Sequence, residues 1–138
     1  HELNELVRPD IPHTGPALSQ TIQDFMVRVE APNTPPDRWW LALDGSAPVA
    51  MSYLSYPPAR GVVWTSFTGT HRAYRGRGIA RAVKLQTLAQ AVDLGIPEVR
   101  TDNDSENVPM LHINETLGYT AMPGYVSFVK RLPAGSLR

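Results

Sequence analysis

Apolar positions along the chain keep two rhythms, and the change from one to the other marks out the elements. Ile22, Phe25, Met26 and Val29 recur at helical spacing. They predict a helix over residues 19–30, capped by Ser19, with that stripe in the core. Residues 38–43 and 48–54 are short runs rich in apolar and aromatic side chains. The Asp44-Gly45 turn between them predicts an antiparallel hairpin. Residues 62–70 read as the next strand, and Gly69 near its end marks a bulge or a close backbone contact. Leu85, Leu88, Ala89 and Val92 return to helical spacing within a helix over residues 78–93, which stops at Gly95. A short strand follows at 97–101. Asn107 as N-cap, Pro109 in the first turn and Gly118 beyond the end bound a helix over 108–117. Residues 119–122 and 125–132 read as two closing strands around Pro123-Gly124.

The remaining stretches are punctuation. Residues 1–7 suit a short helix or a frayed lead-in, and 8–17 carry Pro9, Pro12, Gly15 and Pro16, which predict an irregular connection. Residues 31–37 and 56–61 are loops rich in proline and glycine, and the tail after Pro133 is expected to be loose. Strand, strand, strand, helix, strand, helix, strand, strand predicts one mixed α/β sheet flanked by helices, in a single domain over 1–138.

Composition narrows the function classes. At 138 residues, 42% hydrophobic and 19% charged, the chain has ordinary globular proportions. Thirteen basic and thirteen acidic residues cancel, so any basic patch is local, and bulk nucleic-acid binding is not expected. The absence of cysteine removes disulfides, thiol nucleophiles and thiolate ligands, without fixing the compartment. No run approaches the ~20 apolar residues of a membrane span, and the four histidines lack metal-ligand spacing. No membrane partner and no metal are expected, and the cytoplasm is the expected location. Residue 1 is His instead of Met. The chain is therefore read as trimmed, processed or excised, with a preceding domain or a homodimer both open.

One stretch concentrates charge. From His71 to Val92 there is no Asp or Glu, whereas Arg72, Arg75, Arg77, Arg81 and Lys84 are all cationic. They lie at a helix start, where the helix dipole disfavours cations by roughly 0.3–1 kcal/mol each. A missing anion would resolve the mismatch. Free amides in the first helical turn, with Gly76 and Gly78 opening the approach, make a phosphate cradle. The glycines fit neither G-x-G-x-x-G, because Arg81 stands at the third position, nor G-x-x-x-x-G-K.

Two segments carry a resemblance. Ala73-Tyr74-Arg75-Gly76-Arg77-Gly78, followed by Ile79-Ala80, is similar to the acetyl-CoA loop Q/R-x-x-G-x-G/A of the GNAT superfamily of N-acetyltransferases, with Ala73 in place of Gln or Arg. TDNDSENVPMLHINETLGY, residues 101–119, resembles that family's strand-Asn-helix-Gly-aromatic segment. The best-matching core is 38–131, while residues 1–18 match poorly. The resemblance implies a mostly antiparallel mixed sheet with helices on it and an acyl-CoA site at a splay between central strands. It places the pyrophosphate of acetyl-CoA on the amides of Arg75, Gly76, Arg77, Gly78, Ile79 and Ala80. The pantetheine arm would lie along the backbone of Thr68, Gly69 and Thr70, with the Asn107 side chain as a further contact. Arg72, Arg77 or Arg81 would meet the ribose phosphate.

The implied reaction is direct attack of a primary amine, of a small molecule, on the thioester. Relatives often carry a Tyr acid four residues before the helix-ending glycine; here that position is Asn114. An amide is a poor acid, so Asn114 would hold a water or the sulfur, or Tyr119 or Tyr125 would take the role. Residues 62–70 hold no carboxylate, which leaves His112, Asp102, Asp104 and Glu106 as bases acting through water. The bland readings stand beside these. Asn107 serves as a helix cap, His71 and His112 as surface groups, the acidic run as a solvated loop, and Trp39, Trp40 and Trp64 as sheet packing. An acyl-CoA-binding module without turnover, as one half of a tandem protein, is the alternative function.

Overall fold

The computed structural model describes residues 1–12, 19–57, 61–126, 128 and 130. Helices α1 (Glu2–Val7) and α2 (Ile22–Val29) precede three strands, β1 (Trp40–Asp44), β2 (Ala47–Ser55) and β3 (Val63–Thr70). Helix α3 (Ile79–Asp93), strand β4 (Val99–Arg100) and helix α4 (Val108–Thr116) follow. The sheet order is β1-β2-β3-β4. The first three strands are antiparallel, and β4 lies parallel to β3 through the pairs Val63↔Val99 and Trp64↔Arg100. Past that point β3 runs on to Thr70 still paired with β2 but with no strand on its β4 side among the described residues, so the sheet opens between β3 and β4.

Two different layers cover the sheet. On one face α1 brings Leu3 and Val7 against Met51, Tyr53 and Phe67, with Ile11 and Trp39 beside them. Trp39 stacks on Tyr53 at 3.9 Å between ring centroids, and Phe25 of α2 meets Trp39 edge-on at 5.9 Å. Gly69 belongs to this face. A Cβ there would stand 2.5 Å from Val7 Cγ1, which identifies the glycine as a close contact. The irregularity in the ladder falls instead between Tyr53 and Leu54 of β2. On the other face α3 buries Val83, Lys84, Thr87 and Ala91. Toward its C-terminal end that layer gathers an apolar cluster of Leu54, Tyr56, Val63 and Ala91.

The structure corrects several expectations. Helix α2 is capped by Thr21, whose hydroxyl accepts from the Asp24 amide at 3.1 Å while the Asp24 carboxylate accepts from the Thr21 amide. Asp24, three residues on, closes a reciprocal capping box that Ser19 lacks; Ser19 donates to Glu5 at 2.9 Å. Of the stripe expected in the core, Ile22 and Met26 are 56% and 41% exposed and Phe25 alone is buried, because this eight-residue helix touches the body along one edge. In α3, Leu85 and Val92 are exposed. The helix turns a partly polar face to the sheet, so apolar periodicity pointed to the wrong side. Residues 38–39 precede β1, since Pro36–Arg38 forms a 3-10 turn. Residues 119–126, 128 and 130 carry no strand. There Met122, Tyr125, Val126 and Phe128 are exposed, and strand propensity without a packed face does not build a ladder. The rest of 125–132, like residues 13–18 and 58–60, lies outside the described residues.

Candidate active site

The glycine turn is built as an anion approach. Gly76 and Gly78 have φ of 74° and 76°, a left-handed conformation that costs an L-residue roughly 1–2 kcal/mol. Nothing lies within 4 Å of where a Cβ would stand on either, so both positions are open to a ligand. Gly78 is the N-cap of α3, and no side chain caps the helix; its first-turn amides remain available.

The cations around this turn are not equivalent. Asp10, just after α1, accepts from Arg72 at 2.8 Å through one carboxylate oxygen and from Arg75 at 2.8 Å through the other. The Arg75 hydrogen bond, ahead of the remaining influences, holds the Asp10 carboxyl below its ordinary range. Arg75 Nε also donates to the Thr70 carbonyl at 3.0 Å. Arg77 lies 5.3 Å over the Tyr74 ring, whose hydroxyl donates to Asp44 at 2.8 Å, and Arg81 is exposed. Lys84 is not part of the cradle at all: it is 1% exposed and points into the protein. The expectation of five unbalanced cations is thus corrected. An acid distant in sequence meets two of them, and a third is interior.

The open edge of β3 supplies the second part of the site. His71 N–H donates to Val49 O across the Ala50↔Thr70 register. By antiparallel alternation, Gly69 then exchanges its backbone bonds with Met51 of β2, while the backbone groups of Thr68 and Thr70 face the opening. Gly69 is therefore withdrawn as a backbone contact for a ligand. Thr70 Oγ1 is buried without a hydrogen-bond partner. An orphaned hydroxyl, a free strand edge and uncapped helix amides fit a ligand with an extended amide-bearing arm and a pyrophosphate.

At the closed end of the opening, Lys84 Nζ donates to Asn114 Oδ1 at 2.5 Å and approaches Thr101 Oγ1 at 3.5 Å. It lies 4.8 Å over the ring of Tyr119, whose hydroxyl is 3.4 Å from Thr65 Oγ1. Asn114 Nδ2 donates to Asn103 Oδ1 at 2.7 Å. Burial alone pushes the Lys84 ammonium down to about 8 and is the main influence raising the Tyr119 phenol. His112 does not join this group. Two residues before Asn114 it lies about 200° around α4 and is exposed. Tyr125 is 91% exposed. Asn107 occupies the N-cap position of α4, half-buried, and its side chain makes no capping bond. Asp104 accepts from the Glu106 amide at 2.8 Å. Asp104 and Glu106 line an open cavity of about 630 Å³ with Ser105 and the segment from Pro9 to Pro12.

Sequence reasoning missed the interior position of Lys84 and its contacts with Thr101 and Asn114. The available signal was a spacing: Lys84, Thr87 and Ala91 follow one helix face. Among the described residues no group of three or more His, Asp or Glu side chains could hold a metal ion, and no helix is long and apolar enough to cross a membrane.

Known proteins show the same architecture. An apo aminoglycoside antibiotic 6'-N-acetyltransferase of Acinetobacter haemolyticus is similar with a TM-score of 0.61 and 19% identity, over 84% of this chain and 86% of that one. The ribosomal-protein-S18-alanine N-acetyltransferase of Escherichia coli gives 0.69 and 10%, over 88% and 70%. A second aminoglycoside N-acetyltransferase, in complex with CoA, gives 0.62 and 17%, over 80% and 76%. At these identities the likeness shows the fold. No curated protein matches the sequence. The pattern of the acetyltransferase (GNAT) family matches residues 2–119, most of the chain, and the protein belongs to that family.

Proposed function

We propose that this protein transfers the acetyl group of acetyl-CoA to a primary amine of a small molecule by direct attack. Membership of the family supplies the acyltransferase class and acetyl-CoA as cosubstrate. The observation that carries the reading is the two left-handed glycines at an uncapped helix start, set beside the open edge of β3. In this reading the amides of Arg75, Gly76, Arg77, Gly78, Ile79 and Ala80 hold the pyrophosphate. Thr68 and Thr70 offer their backbone groups to the pantetheine arm as an added strand would use them, and Asn107 gives its uncommitted side chain.

When bound, acetyl-CoA supplies a thioester carbon to which the amine nitrogen bonds as the C–S bond breaks, the electron pair leaving on sulfur. The chain must then accept a proton from the ammonium, steady the carbonyl oxygen and receive the sulfur anion. Strand β3 has no carboxylate, so Asp104 or Glu106, through water, is the base this structure favours over the outward His112. Their cavity presents the Asp104 and Glu106 carboxylates to a cationic amine, while the Asp10 carboxylate on its other wall is held by Arg72 and Arg75. Among the similar structures one acts on an aminoglycoside and another on a ribosomal protein.

Calorimetry with acetyl-CoA tests the cosubstrate, and thiol release over a panel of small amines tests turnover. Saturable binding with amine-dependent thiol release is the expected result. Binding without release for any amine would support a non-catalytic acyl-CoA module instead, a reading favoured by the amide at position 114 and the lack of a strand carboxylate.

A further inference from the structure

Lys84 is the only charged side chain buried among the described residues, and none of their ion pairs involves it. A buried ammonium without a counter-ion is costly, and such a group in a cleft marks a candidate functional site. Its hydrogen-bond partners are neutral: helix α4 presents Asn114, and the segment after β4 presents Thr101. Tyr119 is the titratable group facing it. The cluster straddles the place where the sheet parts: Thr65 and Thr101 are the first residues beyond the last β3–β4 pair. An arm anchored at the glycine turn and laid along Thr70 and Thr68 ends there.

The chemistry of the contact is directional. An ammonium only donates, so it fixes Asn114 with Oδ1 inward and Nδ2 outward. One Nδ2 hydrogen goes to Asn103, and the second is left to give. A buried positive charge and an oriented N–H beside the point where the sheet parts suit a small, soft anion.

We propose that Lys84, acting through Asn114, makes the closed end of the opening a thiolate site that stabilises the sulfur anion left when acetyl-CoA gives up its acyl group. Lys84 is thus a positioning and charge-supplying residue, and the assignment rests on the acetyl-CoA reading above. A thiol beside such a charge ionises at lower pH.

The test is to titrate the thiol of bound CoA by its ultraviolet thiolate absorbance, subtracting the same titration with desulfo-CoA. In the wild type the bound thiol should ionise at least about one pH unit below free CoA, tenfold in acidity. Lys84→Arg keeps the shift and Lys84→Met loses it. Asn114→Asp places a carboxylate on the ammonium, cancels its charge and also loses the shift, which gives a second variant should Lys84→Met fold poorly. A wild-type bound thiol that titrates like free CoA, or a shift that survives either Lys84→Met or Asn114→Asp, overturns the proposal. Acetyl-CoA binding measured in parallel separates the two levels: if acetyl-CoA binds normally the failure belongs to Lys84, and if it does not bind the acetyl-CoA reading itself fails.

Discussion

The two faces of the sheet are built from opposite materials. Under α1, aromatic rings and aliphatic side chains exclude water: Trp39, Tyr53 and Phe67 lie in sequence, with Tyr53 and Phe67 6.1 Å apart, and Leu3 and Val7 close over them. Under the first turns of α3 most of the buried groups are polar: Ser52, Thr70, Lys84 and Thr87, joined by Asn114 from α4, lie beside Val83. Packed rings each contribute roughly 1.5–3 kcal/mol on burial, whereas a buried ammonium opposes folding. The difference separates labour within a small domain. One face holds the strands in place, and the other accepts an energetic penalty at the point where the sheet opens for a ligand.

The largest effect should follow from emptying the dry face. Phe67→Ala removes a ring that is 9% exposed and should cost about 3–5 kcal/mol of stability by urea unfolding, the usual range for such a truncation. Phe67 points away from the opening, so CoA affinity of the folded fraction should stay within about twofold of wild type. A loss of affinity as large as the loss of stability would break the division between faces.

Lys84→Met should act in the other direction, and its effect should depend on pH. The folded value of Lys84, about 8, lies below its ordinary 10.5. Between these values the unfolded chain holds more protons, so this group makes stability rise with pH through that window and lowers it fully below about 8. The Met variant lacks this slope. Its stability relative to wild type should therefore be greatest below pH 8 and should decline by roughly 3 kcal/mol by about pH 10.5, offset throughout by the unpaired Asn114 carbonyl. Thermal unfolding of both proteins across that range checks the sign. A constant difference would mean that Lys84 is not held in a desolvated site.

How much of this could be read from residues alone follows the same division. The hairpin of β1 and β2, strand β3 and the glycine turn were legible because their signals are local: an Asp-Gly turn, short β-rich runs, and glycines before a helix. The inward side of α3 was not. Apolar periodicity assumes that burial follows hydrophobicity, and a helix that packs a lysine and a threonine onto threonines and serines breaks that assumption. The partner of Arg72 and Arg75 was hidden for a different reason. Asp10 lies 62 and 65 residues away in sequence, and only the docking of α1 brings it to the turn. Of the closing strands, residues 119–126, 128 and 130 carry none: Met122, Tyr125, Val126 and Phe128 stay exposed, and strand-like composition without a packed face does not pair.

Asp10 is also the contact through which the dry layer reaches the ligand turn, which makes it the last and smallest test. Its carboxylate and an incoming phosphate both need the guanidiniums of Arg72 and Arg75, which are 67% and 44% exposed. Asp10→Asn keeps the shape and removes the competing charge. Stability should barely change, since exposed ion pairs contribute little. CoA affinity should rise by roughly two- to fivefold at low salt and return toward wild type at high salt, where screening weakens the arginines' pull on phosphate. Dephospho-CoA shows which phosphate the arginines serve: an equal gain assigns them to the pyrophosphate, and a gain confined to CoA assigns them to the ribose phosphate. Weaker CoA binding in the variant would instead make Asp10 an orienting group for the two arginines, so that the α1 layer helps build the site it borders.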